Sequence, residues 1–401
     1  MKSILPLLLS FALLTQNLIP ALPAKVPISY EENETGTETA TQDSLALTAP
    51  SAILMEASTG TIIYEKDANT VLHPASITKI MTMILIFDAL AAGNIHLDDT
   101  VTVSEHAAEM GGSQVFLEPG ETQTVDTMLK CISIASANDA CVAMAELIAG
   151  SESEFVSRMN ERAKGLGMNN TNFVNCCGLD VDNHMTTAHD VALMSKELIT
   201  KYPQIHNYCT VWMDTIIHQT KRGSSEFGLT NTNKLIRQYE YATGLKTGST
   251  GLAKFCVSAT AKKDDIELIA VIMACPDSKA RFADATSLLN YGFSKCQVYS
   301  DTKTNDLTPL TVKKGTSDSV SLKYETNFRY VDTAGNDLSS IKKEIELPKE
   351  VTAPIKANEI AGKAIYTLNG TKIGSVSILY ETSIPKAKFS DYFIKVLGAY
   401  L

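Results

Sequence analysis

Ser76 and Lys79 stand three residues apart in the stretch HPASITKIMT, a spacing that could pair a nucleophile with its base. A serine attacks at neutral pH only if a neighbouring base takes its proton and hydrogen-bond donors hold the oxyanion that forms. The Ser-x-x-Lys pattern alone indicates little, because it begins at five serines of this chain: Ser76, Ser300, Ser339, Ser340 and Ser383. The surroundings of each match must therefore decide between them.

The first match lies at the predicted start of a helix. Pro74 favours a helix start just before Ser76, and residues i and i+3 share one helical face, so the hydroxyl and the amine should meet. The backbone N–H of Ser76 would then lie at the positive end of the helix dipole, where it can serve an anion. The apolar neighbours of Lys79 favour the neutral amine that a base must be. The other four matches lie in polar strands or turns, or precede a proline.

Two further short motifs follow in the chain. Ser136-Ala137-Asn138 is the only Ser-x-Asn and lies in an apolar helical region, while Lys246-Thr247-Gly248 occurs once, immediately before a predicted strand. Each is weak alone, because a serine or asparagine near a helix end is usually a cap. Together and in this order, the three motifs indicate one serine-based site.

The elements that must position these motifs can be predicted from hydrophobic patterns. Residues 51–69 predict two strands joined at Ser58-Thr59-Gly60, followed by a buried helix that ends at Gly93. Helical patterns fill the middle of the chain, and strands return on both sides of a Lys-Lys-Asp-Asp turn at residues 262–265 before another helix. The sum predicts an α/β (α+β) class, in which a sheet is covered by helices and a helical insert interrupts it.

The ends of the chain differ in composition from its centre. Residues 1–24 predict a cleaved secretory signal, with an uncleaved anchor as the alternative, and residues 25–45 predict a flexible linker. Residues 46–297 form the main predicted domain, and residues 298–382 form a small β-rich domain with an Asn369-Gly370 turn. Residues 383–401 carry an aromatic stripe flanked by lysines. This tail predicts an amphipathic helix on a membrane surface, with a core-facing helix as the alternative.

Charge and cysteine usage exclude some functions. A net charge of -10 and a pI near 5.3 argue against a nucleic-acid partner, which would require a basic surface. The eight cysteines are scattered, contain no Cys-x-x-Cys pair, and leave the disulfide state open. We therefore predict no metal site.

Taken together, the motifs resemble those of the serine penicillin-recognising enzymes. Within that group the sequence is most similar to the D-alanyl-D-alanine carboxypeptidases, the low-molecular-mass penicillin-binding proteins. The resemblance spans about residues 48 to 295 and rests on PASITKIMT, SANDA, TNTNKL and GLKTGSTGLAKFCVSATA. It implies a β-lactamase/transpeptidase-like domain with a central antiparallel sheet flanked by helices, followed by a small all-β domain.

The resemblance also implies roles for individual residues. Ser76 would attack the carbonyl between the two terminal D-alanines, Lys79 would take its proton, and Ser136 would pass a proton to the leaving amine, although the identity of the acylation base is disputed in the wider family. The residues implied in substrate binding are Asn138 for the amide, Lys246, Thr247 and Gly248 near the terminal carboxylate, Ser249 through its N–H at the oxyanion, and Arg281 at the carboxylate. A surface position is the alternative for Arg281, and capping or packing roles are expected for His184 and His189.

The implied function is a bacterial serine carboxypeptidase without a cofactor, acting at the extracytoplasmic face of the membrane on peptidoglycan stem peptides and binding β-lactam inhibitors covalently. The alternatives are endopeptidase or transpeptidase action by the same serine. A β-lactamase is less favoured, because no Glu-x-x-Leu-Asn stretch follows the Ser-x-Asn motif. The last alternative, a non-catalytic wall-binding protein, conflicts with the intact motifs.

Overall fold

The computed structural model of the chain describes residues 45–220, 223–302 and 306–398. The predicted signal at 1–24 and all but the last residue of the predicted linker lie outside the described residues. The described residues belong to one compact unit that spans residues 42–401.

Eighteen strands occur in this part of the chain. In chain order they are β1 (Ser51–Glu56), β2 (Ile62–Lys66), β3 (Thr100–Thr102), β4 (Thr122–Thr124), β5 (Met213–Thr220), β6 (Gly223–Thr230), β7 (Ala242–Thr250), β8 (Lys254–Lys263), β9 (Ile266–Cys275), β10 (Gln297–Asp301), β11 (Leu310–Lys313), β12 (Ser319–Val320), β13 (Leu322–Tyr324), β14 (Phe328–Asp332), β15 (Lys342–Glu346), β16 (Glu350–Thr352), β17 (Ile360–Leu368) and β18 (Thr371–Tyr380).

The helices are concentrated between the second and the tenth strand. In chain order they are α1 (Lys79–Ala91), α2 (Glu105–Ala108), α3 (Val125–Ser133), α4 (Asn138–Ala149), α5 (Glu152–Gly165), α6 (Ala188–Lys201), α7 (His206–Cys209), α8 (Leu235–Gln238), α9 (Ser278–Lys295) and α10 (Phe389–Gly398). Short 3-10 turns occur at Ala75–Thr78, Pro203–Ile205 and Leu338–Ser340.

A five-stranded antiparallel sheet in the order β2-β1-β9-β8-β7 forms the centre of the first domain. Strand β9 is apolar at successive positions because both of its faces are buried. Ile269 and Val271 pack into the core that contains α1, whereas Leu268 and Ala270 pack into the core that contains α9. The predicted fold class, a central antiparallel sheet flanked by helices, is confirmed.

The serine motif does not lie within one continuous α-helix. Residues Ala75–Thr78 form a 3-10 turn after Pro74, and α1 begins at Lys79. In a 3-10 turn the side chains at i and i+3 eclipse one another, which brings Ser76 and Lys79 together more directly than α-helical spacing does.

Two local predictions differ from the structure, and one hairpin was not predicted at all. The helical stretch after residue 124 is broken between α3 and α4, and Ser136 lies in that break with a positive φ of 61°. Lys246-Thr247-Gly248 lies inside strand β7 rather than before a strand. The hairpin formed by β5 and β6 was not predicted from the sequence; its strands pair from Met213↔Thr230 to Thr220↔Gly223.

The described residues of the C-terminal part form strands, apart from the 3-10 turn at Leu338–Ser340 and the last helix, in agreement with the predicted small β domain. This part contains three sheets: a four-stranded sheet in the order β13-β18-β17-β15, a three-stranded sheet in the order β12-β11-β16, and the two-stranded pair β10-β14. Asn369 and Gly370, both with positive φ, connect β17 to β18 as the predicted two-residue turn. Arg329 of β14 joins this part to the first domain, because it donates to the carbonyl of Asp265 and lies 3.5 Å from a carboxylate oxygen of Glu56.

The last element among the described residues is α10, which follows extended residues that pair with the β-rich domain. Ile384 is buried and exchanges backbone hydrogen bonds with Ile355 before the helix begins at Phe389. Phe389, Tyr392 and Phe393 are exposed on the helix. Among the described helices, none combines the length and the apolar character needed to cross a membrane.

Candidate active site

Ser76 and Lys79 form the centre of the site. The Lys79 amine lies 3.0 Å from the Ser76 hydroxyl oxygen and is fully buried, while Ser76 remains partly exposed. Two other acceptors hold the amine, the Asn138 side-chain oxygen at 2.6 Å and the Cys177 carbonyl at 2.7 Å. A neutral amine has two N–H donors and one lone pair. If the two N–H groups bind Asn138 and Cys177, the lone pair points at the hydroxyl of Ser76.

The orientation of the Asn138 amide follows from its own hydrogen bonds. Its Nδ2 donates to the carbonyl of Gly111 at 2.7 Å, which leaves Oδ1 as the acceptor for Lys79. Asn138 is the first residue of α4, so the helix start fixes its position. The amide therefore acts on Lys79 in this structure.

Ser136 faces Lys246 across the site. The Lys246 amine lies 2.9 Å from the Ser136 hydroxyl oxygen and 3.1 Å from the Thr247 carbonyl. Burial holds the pKa of Lys246 well below its usual range. The positive φ of Ser136 is a costly conformation for a residue with a side chain, typically about 1–3 kcal/mol, and such residues cluster at functional sites.

A second hydroxyl lies beside the Lys246-Thr247-Gly248 motif. The Thr232 hydroxyl oxygen is 2.6 Å from that of Thr247. Thr232 follows the end of β6, so the β5–β6 hairpin carries it to the site. Thr232 is uncharged and belongs to no periodic pattern, so nothing distinguishes it in the sequence except its position in the TNTNKL stretch.

The turn that carries Ser76 lies between two glycines. A Cβ on Gly248 would lie 2.9 Å from the Pro74 carbonyl oxygen and 3.0 Å from the Ser76 nitrogen. On the other side, a Cβ on Gly178 would lie 1.8 Å from the Ala75 carbonyl oxygen. Only glycine allows either backbone to come this close, so β7 and the loop after Cys177 both press on the serine turn.

Ser249 and Arg281 lie at the edge of this arrangement. Ser249 follows Gly248 on β7 and its side chain is exposed. Arg281 is 6% exposed and donates to the carbonyls of Gly248 at 3.0 Å and Cys256 at 3.1 Å, so the alternative of a surface position is wrong. Burial lowers the pKa of Arg281 to about 10. Its guanidinium supports strand β7 from α9.

The two histidines near the site lie behind it. His184 is buried, accepts the N–H of Val174 at Nδ1, and therefore presents Nε2–H to the Thr78 hydroxyl 2.8 Å away. Burial, reinforced by His73, lowers the pKa of His184 to about 4. His189 pairs with Asp190, which raises the pKa of His189 despite partial burial. Neither histidine contacts Ser76 or Lys79 in these hydrogen bonds.

All eight cysteines are described, buried and unpaired by disulfides. Among the residues that the structure describes, only Glu152, Cys176 and Cys177 bring three possible metal ligands within 4.8 Å of one another. The Glu152 carboxylate already accepts the N–H of Cys176 and contacts His106. We assign no metal to this group.

Comparisons with known proteins agree with this geometry. The family model described as D-alanyl-D-alanine carboxypeptidase matches residues 36–277, and the model for the C-terminal domain of penicillin-binding protein 5 matches residues 293–386. The chain is 42% identical over 355 residues to the D-alanyl-D-alanine carboxypeptidase DacF of Bacillus subtilis, covering 88% of this chain and 90% of that protein.

Solved structures give the same grouping. Penicillin-binding protein 5 from Haemophilus influenzae superposes with a TM-score of 0.71 at 28% identity, covering 85% of this chain and 98% of the other. A mutant of a Streptomyces DD-transpeptidase superposes with a TM-score of 0.58 at 30% identity, but covers only 62% of this chain. Because the family model matches more than half of the chain and DacF is similar along most of it, the chain belongs to the D-alanyl-D-alanine carboxypeptidases, serine peptidases of the penicillin-binding protein type.

Proposed function

We propose that the chain is a serine carboxypeptidase that removes the terminal D-alanine from peptidoglycan stem peptides, with Ser76 as its nucleophile. The observation that carries this proposal is the Lys79 amine, buried and 3.0 Å from the Ser76 hydroxyl, with its other hydrogen bonds made to two carbonyl oxygens. Family membership indicates the reaction, and this contact supports Ser76 as the nucleophile.

In the first step, the lone pair of a neutral Lys79 takes the hydroxyl proton as the Ser76 oxygen attacks the carbonyl carbon between the two D-alanines. The oxyanion that forms lies between the N–H groups of Ser76 and Ser249. Donors aimed at a developing oxyanion are usually the largest contribution to such a reaction. The contact between Gly248 and the serine turn supports this arrangement, because it holds β7 against the nucleophile.

The leaving amine must receive a proton as the peptide bond breaks. We propose that Ser136, 2.9 Å from Lys246, gives its hydroxyl proton to the amine and recovers the proton that Lys79 took from Ser76; D-alanine departs and the acyl ester remains on Ser76. Water then hydrolyses the ester and the proton returns through the same groups. A β-lactam would acylate Ser76 in the same way and remain attached where hydrolysis is slow.

The terminal carboxylate of the substrate needs hydrogen-bond donors and a favourable charge. The Thr232 and Thr247 hydroxyl oxygens lie 2.6 Å apart, so one hydroxyl donates to the other and one hydroxyl proton remains for a carboxylate oxygen, with Lys246 beside them. The Arg281 guanidinium is occupied by the carbonyls of Gly248 and Cys256, so we propose that it supports β7 instead of binding the carboxylate directly.

Replacing Ser76 with alanine tests the proposal. We expect Ser76→Ala to lose both D-alanine release from diacetyl-L-lysyl-D-alanyl-D-alanine and covalent labelling by a fluorescent penicillin. Ser339→Ala is the matched control, because Ser339 also begins a Ser-x-x-Lys match but is exposed in the β-rich domain. Labelling that persists in Ser76→Ala would contradict the assignment.

The same assay separates the alternatives. Transfer of the acyl group to an added amine acceptor in preference to water would indicate a transpeptidase, and cleavage of cross-linked peptides would indicate an endopeptidase. Rapid turnover of penicillin without a stable adduct would indicate a β-lactamase. We favour the carboxypeptidase because the match to carboxypeptidases extends into the C-terminal domain.

We further propose that the protein is exported and acts outside the cytoplasm, with residues 46–297 as the catalytic domain, 298–382 as a spacer and the tail on the membrane surface. The exposed aromatic side chains of α10, Phe389, Tyr392 and Phe393, support an interfacial tail. Deletion of residues 388–401 should move the protein from the membrane fraction to the soluble fraction. This truncation keeps Ile384, whose removal would damage the β-rich core. Unchanged membrane association would refute the anchor.

A further inference from the structure

One side chain organises the loop behind Lys79. The Asn175 Oδ1 accepts the N–H groups of Cys177 at 3.1 Å, Gly178 at 2.7 Å and Leu179 at 3.1 Å. Its Nδ2 donates to the carbonyl of Leu179 at 3.0 Å. Three consecutive backbone donors therefore converge on a single oxygen, which defines the path of the chain from residue 175 to residue 179.

This loop makes two contacts with the nucleophile turn. The Cys177 carbonyl accepts the Lys79 amine at 2.7 Å, and Gly178 packs against the carbonyl of Ala75. The preceding carbonyl, that of Cys176, is fixed separately by the Thr82 hydroxyl at 2.6 Å. The position of the Cys177 carbonyl thus depends on Asn175 on one side and on α1 on the other.

The direction of the Lys79 lone pair depends on that carbonyl. A neutral amine that loses one of its two acceptors can rotate about its carbon–nitrogen bond, and its lone pair then turns away from the Ser76 hydroxyl. Asn138 alone cannot prevent this rotation, because one hydrogen bond leaves the other N–H and the lone pair free to exchange places.

We propose that Asn175 is a positioning residue for acylation, acting through the Cys177 carbonyl on the amine of Lys79. The proposal rests on the proposed role of Lys79 as the base. Asn175 does not touch the substrate; it holds the carbonyl that aims the lysine. Neither the Ser-x-x-Lys nor the Lys-Thr-Gly motif contains this residue, which joins the nucleophile turn to the loop between α5 and α6.

Three variants separate positioning from folding. Asn175→Ala removes all four hydrogen bonds. Asn175→Asp keeps an oxygen acceptor for the three N–H groups, which stabilise a carboxylate at that place, but it replaces the donor to Leu179 with a second carboxylate oxygen and adds a negative charge. Asn172→Ala is the matched control, since the exposed Asn172 lies in the same loop and its side chain donates to Asn183, away from Lys79.

Each full-length variant is mixed with a fluorescent penicillin, and both the rate constant and the final stoichiometry of labelling are measured. The rate constant reports how fast the folded molecules react, whereas the final stoichiometry reports what fraction of the molecules is folded. Steady-state release of D-alanine from diacetyl-L-lysyl-D-alanyl-D-alanine gives kcat and KM separately. A purely structural role would lower the stoichiometry and leave the rate constant of the remaining molecules unchanged.

We expect Asn175→Ala to lower the acylation rate constant and kcat on the order of 100-fold with little change in KM, the scale of a misplacement near 1 Å. The acylation rate constant of Asn175→Asp should stay within about tenfold of that of the original chain on the same scale. The rate constant of Asn172→Ala should equal that of the original chain. Acylation by Asn175→Ala at the original rate would overturn the inference, as would an equal loss of rate in Asn172→Ala. Failure of the proposed function looks different, because the unaltered chain would then show no labelling at Ser76.

Discussion

Replacing Gly248 with alanine adds one methyl group between strand β7 and the turn that carries Ser76. The new Cβ would lie 2.9 Å from the Pro74 carbonyl oxygen and 3.0 Å from the Ser76 nitrogen. Gly248 does not have a positive φ, so alanine fits its backbone conformation and the effect is confined to this contact. The variant therefore measures how closely the two backbones must approach.

The size of the effect follows from the distances. Ordinary contact begins at 3.4 Å, so the turn and the strand must separate by about 0.5 Å. Because a displacement of about 1 Å can cost about 100-fold in rate, half of that displacement should cost about tenfold in acylation. Overpacking of this kind also costs about 1–3 kcal/mol of stability, and each kcal/mol lowers the Tm by roughly 2–4 °C in a domain of this size.

The assay is the second-order rate constant of labelling by a fluorescent penicillin, with thermal unfolding followed in parallel. Gly251→Ala is the control, because its Cβ would meet only the Asp180 carboxylate oxygen at 3.9 Å, an ordinary contact. We expect Gly248→Ala to be slow and Gly251→Ala to be unaffected. Equal rates for Gly248→Ala and the unaltered chain would refute the reasoning, and so would an equal loss in Gly251→Ala.

Two further predictions concern groups around the same turn. Burial lowers the pKa of His184 to about 4 from an ordinary 6.5. As the pH falls, the unfolded chain therefore binds a proton on His184 before the folded chain does. The free energy of unfolding should decrease between pH 6.5 and pH 4, by about 3 kcal/mol in total. His184→Asn, which cannot titrate, should flatten the dependence of the unfolding free energy on pH in that window, and an unchanged slope would contradict the assignment. Thr232→Val keeps the side-chain shape and removes one donor to the substrate carboxylate, so KM for the D-alanyl-D-alanine peptide should rise about tenfold with kcat nearly constant; a fall in kcat alone would argue against carboxylate binding.

The fold could be predicted where hydrophobic patterns are strong. Strand β9 has a continuous apolar run, and Asn369-Gly370 is a strong turn signal; the structure contains both elements as predicted. Hydrophobic patterns did not predict the strand where polar residues of the candidate site occupy buried positions. Lys246 and Thr247 are buried polar residues in the middle of β7, so the motif was predicted to precede a strand although it forms part of one.

The site could be predicted only in part. The three motifs led to Ser76, Ser136 and Lys246, which the structure brings together, because their types and order are distinctive. Asn175 and Gly178 could not be found in this way, since their significance depends on which distant backbone approaches them. For Arg281 the sequence left two alternatives, a role at the substrate carboxylate and a surface position, because only the fold reveals the carbonyls that accept its hydrogen bonds.

The two glycines on either side of the Ser76 turn also have a consequence for how the protein folds. Gly178 lies in the loop between α5 and α6, and Gly248 lies in strand β7 of the central sheet. The turn that carries Ser76 is therefore enclosed only when these two distant segments have both packed against it. Contacts between distant residues are the slow ones to form. Reactivity towards penicillin should therefore return with the last phase of refolding, after the helical circular dichroism signal has recovered. Labelling by a β-lactam would then report the time at which the domain completes its tertiary structure.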